Sequence, residues 1–463
     1  MEQPNIIFIL SDEQRWDSLG CYGQPMPVTP NLDRLAAEGV RFENAFTAQP
    51  VCGPVRSSLQ AGKWPSELGT HLNHRHLPLH TVKLATLLHG AGYETGYIGK
   101  WHLASGPNDT EPEIYREGRV LPVPPEYRGG YQYWLAADVL EYCSHAYDGY
   151  CFDTDNKARY FPVGRYRVDA MTDWVLEYLQ GRDGQKPFFL FVSYLEPHFQ
   201  NDHGRDYRSY EGPTGSKERW KGCTIPQDLL ECDGGNYEGN YEDYLGCCNN
   251  LDANIGRIRD TLQDLGLADN TLLIYTSDHG DHFRTRNHTE KNACHDACLR
   301  IPLILNGPGF RRGTVNGNLV SLIDMPKTVL TAAGAGIPAD WAGRPLQEAL
   351  EQDGWRESVF AQLSSTQVGR CLRTYRWKYS VEDPAMPRDQ AQPPRSDRYT
   401  ETFLYDLEND PHELNNLVND PRYEETRVRL RRLLLEHIRE AEGVTADIQP
   451  PHSCCPTGGP SHG

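Results

Sequence analysis

Four short apolar runs, far apart in the chain, each end on a polar or charged tip. Residues 5–10 (NIIFIL) run into Ser11-Asp12-Glu13-Gln14, and residues 95–98 into Gly99-Lys100-Trp101-His102. Residues 187–194 end at Glu196-Pro197-His198, and residues 272–276 at Ser277-Asp278-His279-Gly280. Apolar runs of this length, without alternation, read as strands buried on both faces, which is the pattern of a mostly parallel sheet covered by helices. In such a sheet the C-terminal strand ends gather along one edge, where ligands bind. Tips spread from position 12 to position 279 are therefore expected to converge.

Helical periodicity fills the gaps. Residues 31–38 place Leu32, Leu35 and Ala36 on one face before Gly39, and residues 81–89 do the same with Leu84, Leu87 and Leu88. Residues 168–179 align Val168, Met171, Val175 and Leu179, and a long helix is predicted over 241–265. Residues 105–165 and 200–240 are polar, aromatic-rich and weakly periodic, and read as long functional loops. At 463 residues the chain exceeds one ordinary core. Past residue 345 its texture changes, with strands expected at 358–363, 371–381 and 402–405, a Pro- and charge-rich loop at 383–398 and a helix at 424–442. The expected fold is α/β: a large, mostly parallel central sheet flanked by helices (residues 1–350), then a smaller α+β domain of antiparallel sheet plus terminal helix (351–449). Residues 450–463 read as a flexible tail, a better reading than a metal site at His452, Cys454 and Cys455.

A formal charge of −18 argues against a nucleic-acid or membrane-surface binder, and no run is apolar and long enough to span a bilayer. The start, MEQPNIIFIL, has no basic n-region, so the chain reads as cytoplasmic as written, or exported if a leader has been removed. Thirteen cysteines without paired C-x-x-C motifs are expected to be reduced thiols.

One further stretch carries chemistry: Cys52-Gly53-Pro54-Val55-Arg56. A helix opening at Cys52 puts Arg56 one turn on, on the same face, beside the partial positive charge of the helix N-terminus. That suits a reactive group next to a bound anion; read alone, a small buried Cys at a helix start is more often inert packing. Asp12, Glu13, Asp278 and His279 fit a site for a hard divalent cation, or turn residues. Lys100 and His102, two residues apart, would point the same way on a strand. His198 and Lys291, taken singly, read as a structural histidine and a solvated lysine.

Taken together, these residues resemble the type I sulfatase family of the alkaline-phosphatase-like superfamily. Cys52 to Arg56 matches its C-x-P-x-R signature. Ser11-Asp12-Glu13, Gly99 to Leu103, Pro197-His198, Thr276 to Gly280, and Lys291 ahead of Arg300-Ile301-Pro302-Leu303 follow in family order. The chain departs from the family at Val55, often Ser, at Glu13, often Asp or an amide, and at His295, often aromatic; the last points to a different leaving-group preference.

The resemblance implies that a maturation enzyme oxidises Cys52 to formylglycine (3-oxoalanine). It implies a Ca²⁺ ion, or Mg²⁺, held by Asp12, Glu13, Asp278, His279 and residue 52. A hydroxyl of the hydrated aldehyde would attack sulfur, and the second hydroxyl would re-form the C=O bond and expel sulfate. Arg56 and Lys100 would steady the formylglycine oxygens, Lys291 a sulfate oxygen, His102 would be the base and His198 the acid for the departing alkoxide. The substrate implied is a sulfated saccharide. The alternatives are a phosphonate monoester or phosphodiester hydrolase with the same nucleophile, and an unmodified, non-catalytic binder of sulfated glycans. The oligomeric state is not legible.

Overall fold

The computed structural model describes residues 3–106, 114–116, 119–201, 209–310, 313–352, 354–387 and 392–451. The strand β1 (Asn5–Asp12) is buried along its whole length. Successive side chains of a strand face opposite ways, so Ile6, Phe8 and Leu10 enter one core and Ile7 and Ile9 another. The strands that follow are β2 (Val40–Phe46), β3 (Glu94–Lys100), a separate ribbon of β4 (Tyr115–Arg116) and β5 (Arg119–Val120), and β6 (Tyr133–Ala137). Then come β7 (Ser144–His145), β8 (Asp148–Asp153), β9 (Ala158–Tyr160), β10 (Phe188–Pro197), β11 (Thr271–Ser277), β12 (Leu303–Asn306) and β13 (Thr314–Ser321). The central sheet runs β13-β2-β12-β11-β1-β10-β3-β6-β8-β7, with β9 on β8. From β11 to β6 every neighbour is parallel. β12 is antiparallel to both its neighbours, and β8 to β6.

Helices cover both faces. Val55 and Leu59 of the helix Cys52–Ala61, Leu84 and Leu88 of Leu84–Gly90, and Val329 and Leu330 of Met325–Ala333 fill the first core. Leu32 and Leu35 of Pro30–Glu38, Val168 to Leu179 of Arg167–Gln180, and Leu251 to Leu262 of Tyr241–Asp264 fill the second. Each fully buried Leu, Ile or Phe contributes about 1.5–3 kcal/mol, so the two cores hold the sheet rigid behind its C-terminal edge.

Three expectations are corrected. The stretch 105–165 is not one loop: its described residues include β4 to β9. These strands are short and rich in Tyr, and ring stacking of Trp134 on Tyr97 helps to anchor β6. Residues 200–240 contain two one-turn helices, Ser216–Arg219 and Gln227–Leu230. The run 371–381 is two strands, β15 and β16, because the hydroxyl of Thr374 accepts the Trp377 N–H and closes a turn without Gly or Pro.

The second sheet comprises β14 (Ser358–Leu363), β15 (Gly369–Thr374), β16 (Trp377–Glu382), β17 (Arg398–Asp406) and β18 (Asp447–Gln449), in that order. It is antiparallel except for β17 and β18. Leu430, Leu434 and Ile438 of the helix Glu424–Glu442 pack on its Leu372, Tyr379 and Leu404. All eleven cysteines among the described residues are free thiols. The 452–463 part of the tail, with His452, Cys454 and Cys455, lies outside the described residues.

Candidate active site

Adjacent parallel strands bring the tips together. Ser11 pairs with Ser277 across β1 and β11, Asp12 with Pro197 across β1 and β10, and Ser193 with Gly99 across β10 and β3. Asp12, Asp278, His198 and Lys100 therefore stand side by side at one edge, as a parallel sheet requires. Glu13 turns the chain in the left-handed region, φ 67°, and its N–H donates to Asp278 Oδ1 at 3.0 Å.

The helix Cys52–Ala61 points its N-terminus at this edge, and all ten of its residues are buried. Cys52 Sγ lies 3.4 Å from Asp12 Oδ1 and 3.2 Å from His279 Nε2. Ligand atoms of Asp12, Cys52, Asp278 and His279 fall within 4.8 Å of one another, as do those of Asp12, Glu13 and His198. His279 Nδ1 sits 2.9 Å from the Gly280 carbonyl, which can only accept, so Nδ1 carries the proton and Nε2 presents a lone pair. Both Glu13 carboxylate oxygens are buried without a hydrogen bond. An imidazole nitrogen presenting a lone pair, two paired carboxylates and one buried carboxylate without a hydrogen bond among the described residues make a set that fits a divalent cation.

Arg56 does not reach Sγ as its closest partner. Its Nη2 meets Asp12 Oδ2 at 3.0 Å, its Nε donates to Asp278 Oδ2 at 3.2 Å, and its Nη1 donates to Ser193 Oγ at 2.6 Å. Lys100 Nζ bridges Asp12 Oδ2 at 2.8 Å and Glu141 Oε1 at 2.9 Å. Both cations hold the carboxylates. Lys291 is the one at the thiol: Nζ is 2.9 Å from Cys52 Sγ, 3.0 Å from His198 Nε2 and 3.4 Å from Glu13 Oε1.

Burial alone would raise the Asp12 pKa, but Lys100, His198, Arg56 and Lys291 hold it well below the usual carboxylate range. Burial pushes Glu13 well up, with Lys291 offsetting only part. Burial and Asp12 push the Cys52 thiol up to about 12, so the unmodified side chain is a protonated, weak nucleophile. His198 is held well below its ordinary value by burial and Lys291. Its Nδ1 donates to the Phe199 carbonyl at 2.5 Å, leaving Nε2 to accept from Lys291.

His102 lies beyond the end of β3, at φ 57°, so it does not share a strand face with Lys100. It is buried, with neither ring nitrogen hydrogen-bonded among the described residues, and burial and Lys100 depress its pKa well below the ordinary value. The His295 ring lies against Phe403 and Tyr405 of β17. Three contributors were not read from the sequence. Ser193, the one serine inside FFLFVSYLEP, had a visible signal; Glu141 and Asn73, whose Oδ1 accepts the Gly53 N–H at 2.9 Å, had none.

Residues 4–335 match the profile of the family described as Sulfatase. The chain is 29% identical over 449 residues to an ulvan-active sulfatase of Formosa agariphila, covering 91% of this chain and 78% of that protein. It is 25% identical over 512 residues to the N-acetylglucosamine-6-O-sulfatase of Bacteroides thetaiotaomicron, covering 94% and 86%. A solved sulfatase structure from Bacteroides fragilis aligns with a TM-score of 0.78 at 26% identity, over 95% of this chain and 96% of that one.

Proposed function

The chain belongs to the sulfatase family, whose members hydrolyse sulfate esters, and on that premise we propose that its substrate is a sulfated carbohydrate and its nucleophile a formylglycine made from Cys52 by a maturation enzyme. One observation carries the reading: Cys52 Sγ, Asp12, Asp278 and His279 share one buried cluster with Lys291 at the thiol. Sγ stands where the formylglycine oxygen would be. An aldehyde there supplies a hydrated nucleophile that can release sulfate by re-forming its C=O bond, which a thiol cannot do. A Ca²⁺ ion held by Asp12, Glu13, Asp278 and His279 supplies Lewis acidity and offsets negative charge.

The chain's own residues do the rest. Arg56 holds the Asp12 and Asp278 carboxylates in place, and Lys100 steadies Asp12 from the other side. Lys291 donates to a sulfate oxygen beside residue 52. His198, its Nε2 3.0 Å from the Lys291 ammonium, acts as the acid that protonates the leaving oxygen, and Lys291 keeps its own proton. His102, neutral and with both nitrogens open, takes up a proton. The carbohydrate rests on the two relatives, named for ulvan and for N-acetylglucosamine 6-O-sulfate.

The test is turnover of sulfated mono- and oligosaccharides, beside a phosphodiester, by protein coexpressed with a formylglycine-generating enzyme. Expected are a lighter Cys52 peptide by mass, sulfate release from a sugar, and loss of activity with a chelator that Ca²⁺ restores. Faster turnover of the phosphodiester would overturn the substrate, and a full-mass thiol peptide in active protein would overturn the nucleophile.

A further inference from the structure

The segment that carries His102 belongs to no helix or strand, yet its backbone is bound at every step. Lys100 and Ala137 pair at the ends of β3 and β6, and the ladder stops there. Trp101 N–H then donates to the Ala137 carbonyl at 2.9 Å, and His102 N–H to the Asp138 carbonyl at 2.7 Å. The Asp138 carboxylate takes the next three. Oδ1 accepts from Leu103 at 2.9 Å and Ala104 at 2.8 Å, and Oδ2 accepts from Ser105 at 3.0 Å.

Four consecutive N–H groups thus end on one residue that is 0% exposed. Hydrogen bonds to a charged carboxylate are among the stronger ones, and each is comparable to the cost of holding one non-glycine residue in the left-handed region. Asp138 therefore outweighs the strain at His102. Among the described residues no hydrogen bond holds the His102 ring, and the His74 ring lies 5.7 Å from it. Its carbonyl abuts the nucleophile's helix, 3.5 Å from where a Cβ on Gly53 would sit. The ring's place is set by its backbone, and the backbone by Asp138.

We propose that Asp138 is a positioning residue, which acts through the 102–105 backbone to hold the His102 ring where it can exchange a proton at residue 52. This rests on the reading of His102 as a proton carrier, so the test separates the two. Asp138→Asn keeps the shape but replaces one acceptor with an NH₂ group, which cannot take an N–H. With matured protein and either 4-nitrophenyl sulfate or the best sulfated sugar, Asp138→Asn is expected to lower kcat about 10²-fold with little change in KM, the loss expected when a reacting group moves by about 1 Å. His102→Ala is expected to lower kcat about 10²–10⁴-fold, and adding Asp138→Asn to it should cost no more. A crystal structure of Asp138→Asn should show residues 102–105 displaced and Asp12, Arg56 and Asp278 in place.

Equal losses from Asp138→Asn in both backgrounds, no loss in either, or an unmoved His102 overturn the proposal and leave the role of His102 standing. An unchanged kcat in His102→Ala removes the role of His102, and the proposal with it. If Asp138→Asn does not fold, Asp138→Glu, which keeps the charge on an arm one methylene longer, is read by the same outcomes.

Discussion

Lys291 and Arg56 are both buried cations, but they answer to different partners. Arg56 has Asp12, Asp278 and Ser193 around it, so its charge is consumed in holding two carboxylates that would otherwise repel. Lys291 has a thiol, an imidazole and a carboxylate whose oxygens carry no hydrogen bond. Its charge is the one turned toward residue 52, and this is what a developing negative charge on a sulfate oxygen needs. Replacing Lys291 by Met keeps most of the stem and removes the donor. The expected result is a kcat about 10²–10³-fold lower, the usual loss when one donor to a developing oxyanion is removed, with an unchanged melting temperature. Steady-state kinetics beside a thermal melt check it. A rise in KM alone, with kcat within a few-fold of the parent, would show that Lys291 binds without stabilising the transition state.

At the level of elements, the site depends on how closely β3 approaches β10. Gly99 sits at φ 113°, and a Cβ there would lie 2.0 Å from the Ser193 carbonyl oxygen and 2.7 Å from Met171 Cε. Gly99→Ala must push β3 away from the strand that supplies Ser193 to Arg56. The expected destabilisation is about 1–3 kcal/mol or more, read as a lower urea midpoint, together with a lower kcat because Lys100 moves with the strand. An unchanged midpoint would mean that the two strands are not held in this register. The strand tips were legible because apolar runs buried on both faces end sharply, and Asp12, Lys100, His198 and Asp278 stand where those runs stop. The Cys52–Arg56 spacing was legible from helical geometry. What Arg56 touches was not, since its partners lie on or just past β1, β3, β10 and β11, up to 222 residues from it. Asp138 and Glu141 were hidden for a related reason. They follow β6, a strand whose pairing with β3 depends on ring stacking and leaves no periodic trace in the sequence.

Across the whole molecule, the second sheet reaches the site through the loop that carries Lys291. The Thr366 hydroxyl donates to the Asn292 carbonyl at 3.0 Å, and Asp296, four residues on, meets Lys378 and Arg373 of the second sheet. Lys378 is 0% exposed and also pairs with Glu413 at 2.9 Å. Burial alone would raise the Asp296 pKa, but Arg373 and Lys378 outweigh it and hold the carboxyl well below the usual range. A carboxyl depressed in the folded state adds stability above its unfolded value, near 3.9, and that stability is lost as pH falls through the folded value. Asp296→Asn should therefore cost about 3–5 kcal/mol near pH 7, because it leaves buried Arg373 without its carboxylate and Lys378 with Glu413 alone. The gap between parent and variant should narrow below about pH 4, as the parent's own carboxyl takes up its proton. Urea unfolding followed by tryptophan fluorescence at a series of pH values measures both. A gap that stays constant down to strongly acid pH would mean that Asp296 is not the ionised partner. A variant that loses stability but keeps its full kcat would mean that the second sheet supports the fold without holding Lys291. Loss of both follows if the clamp on residues 291–296 is what lets a sheet outside the catalytic edge set the position of the sulfate-binding lysine.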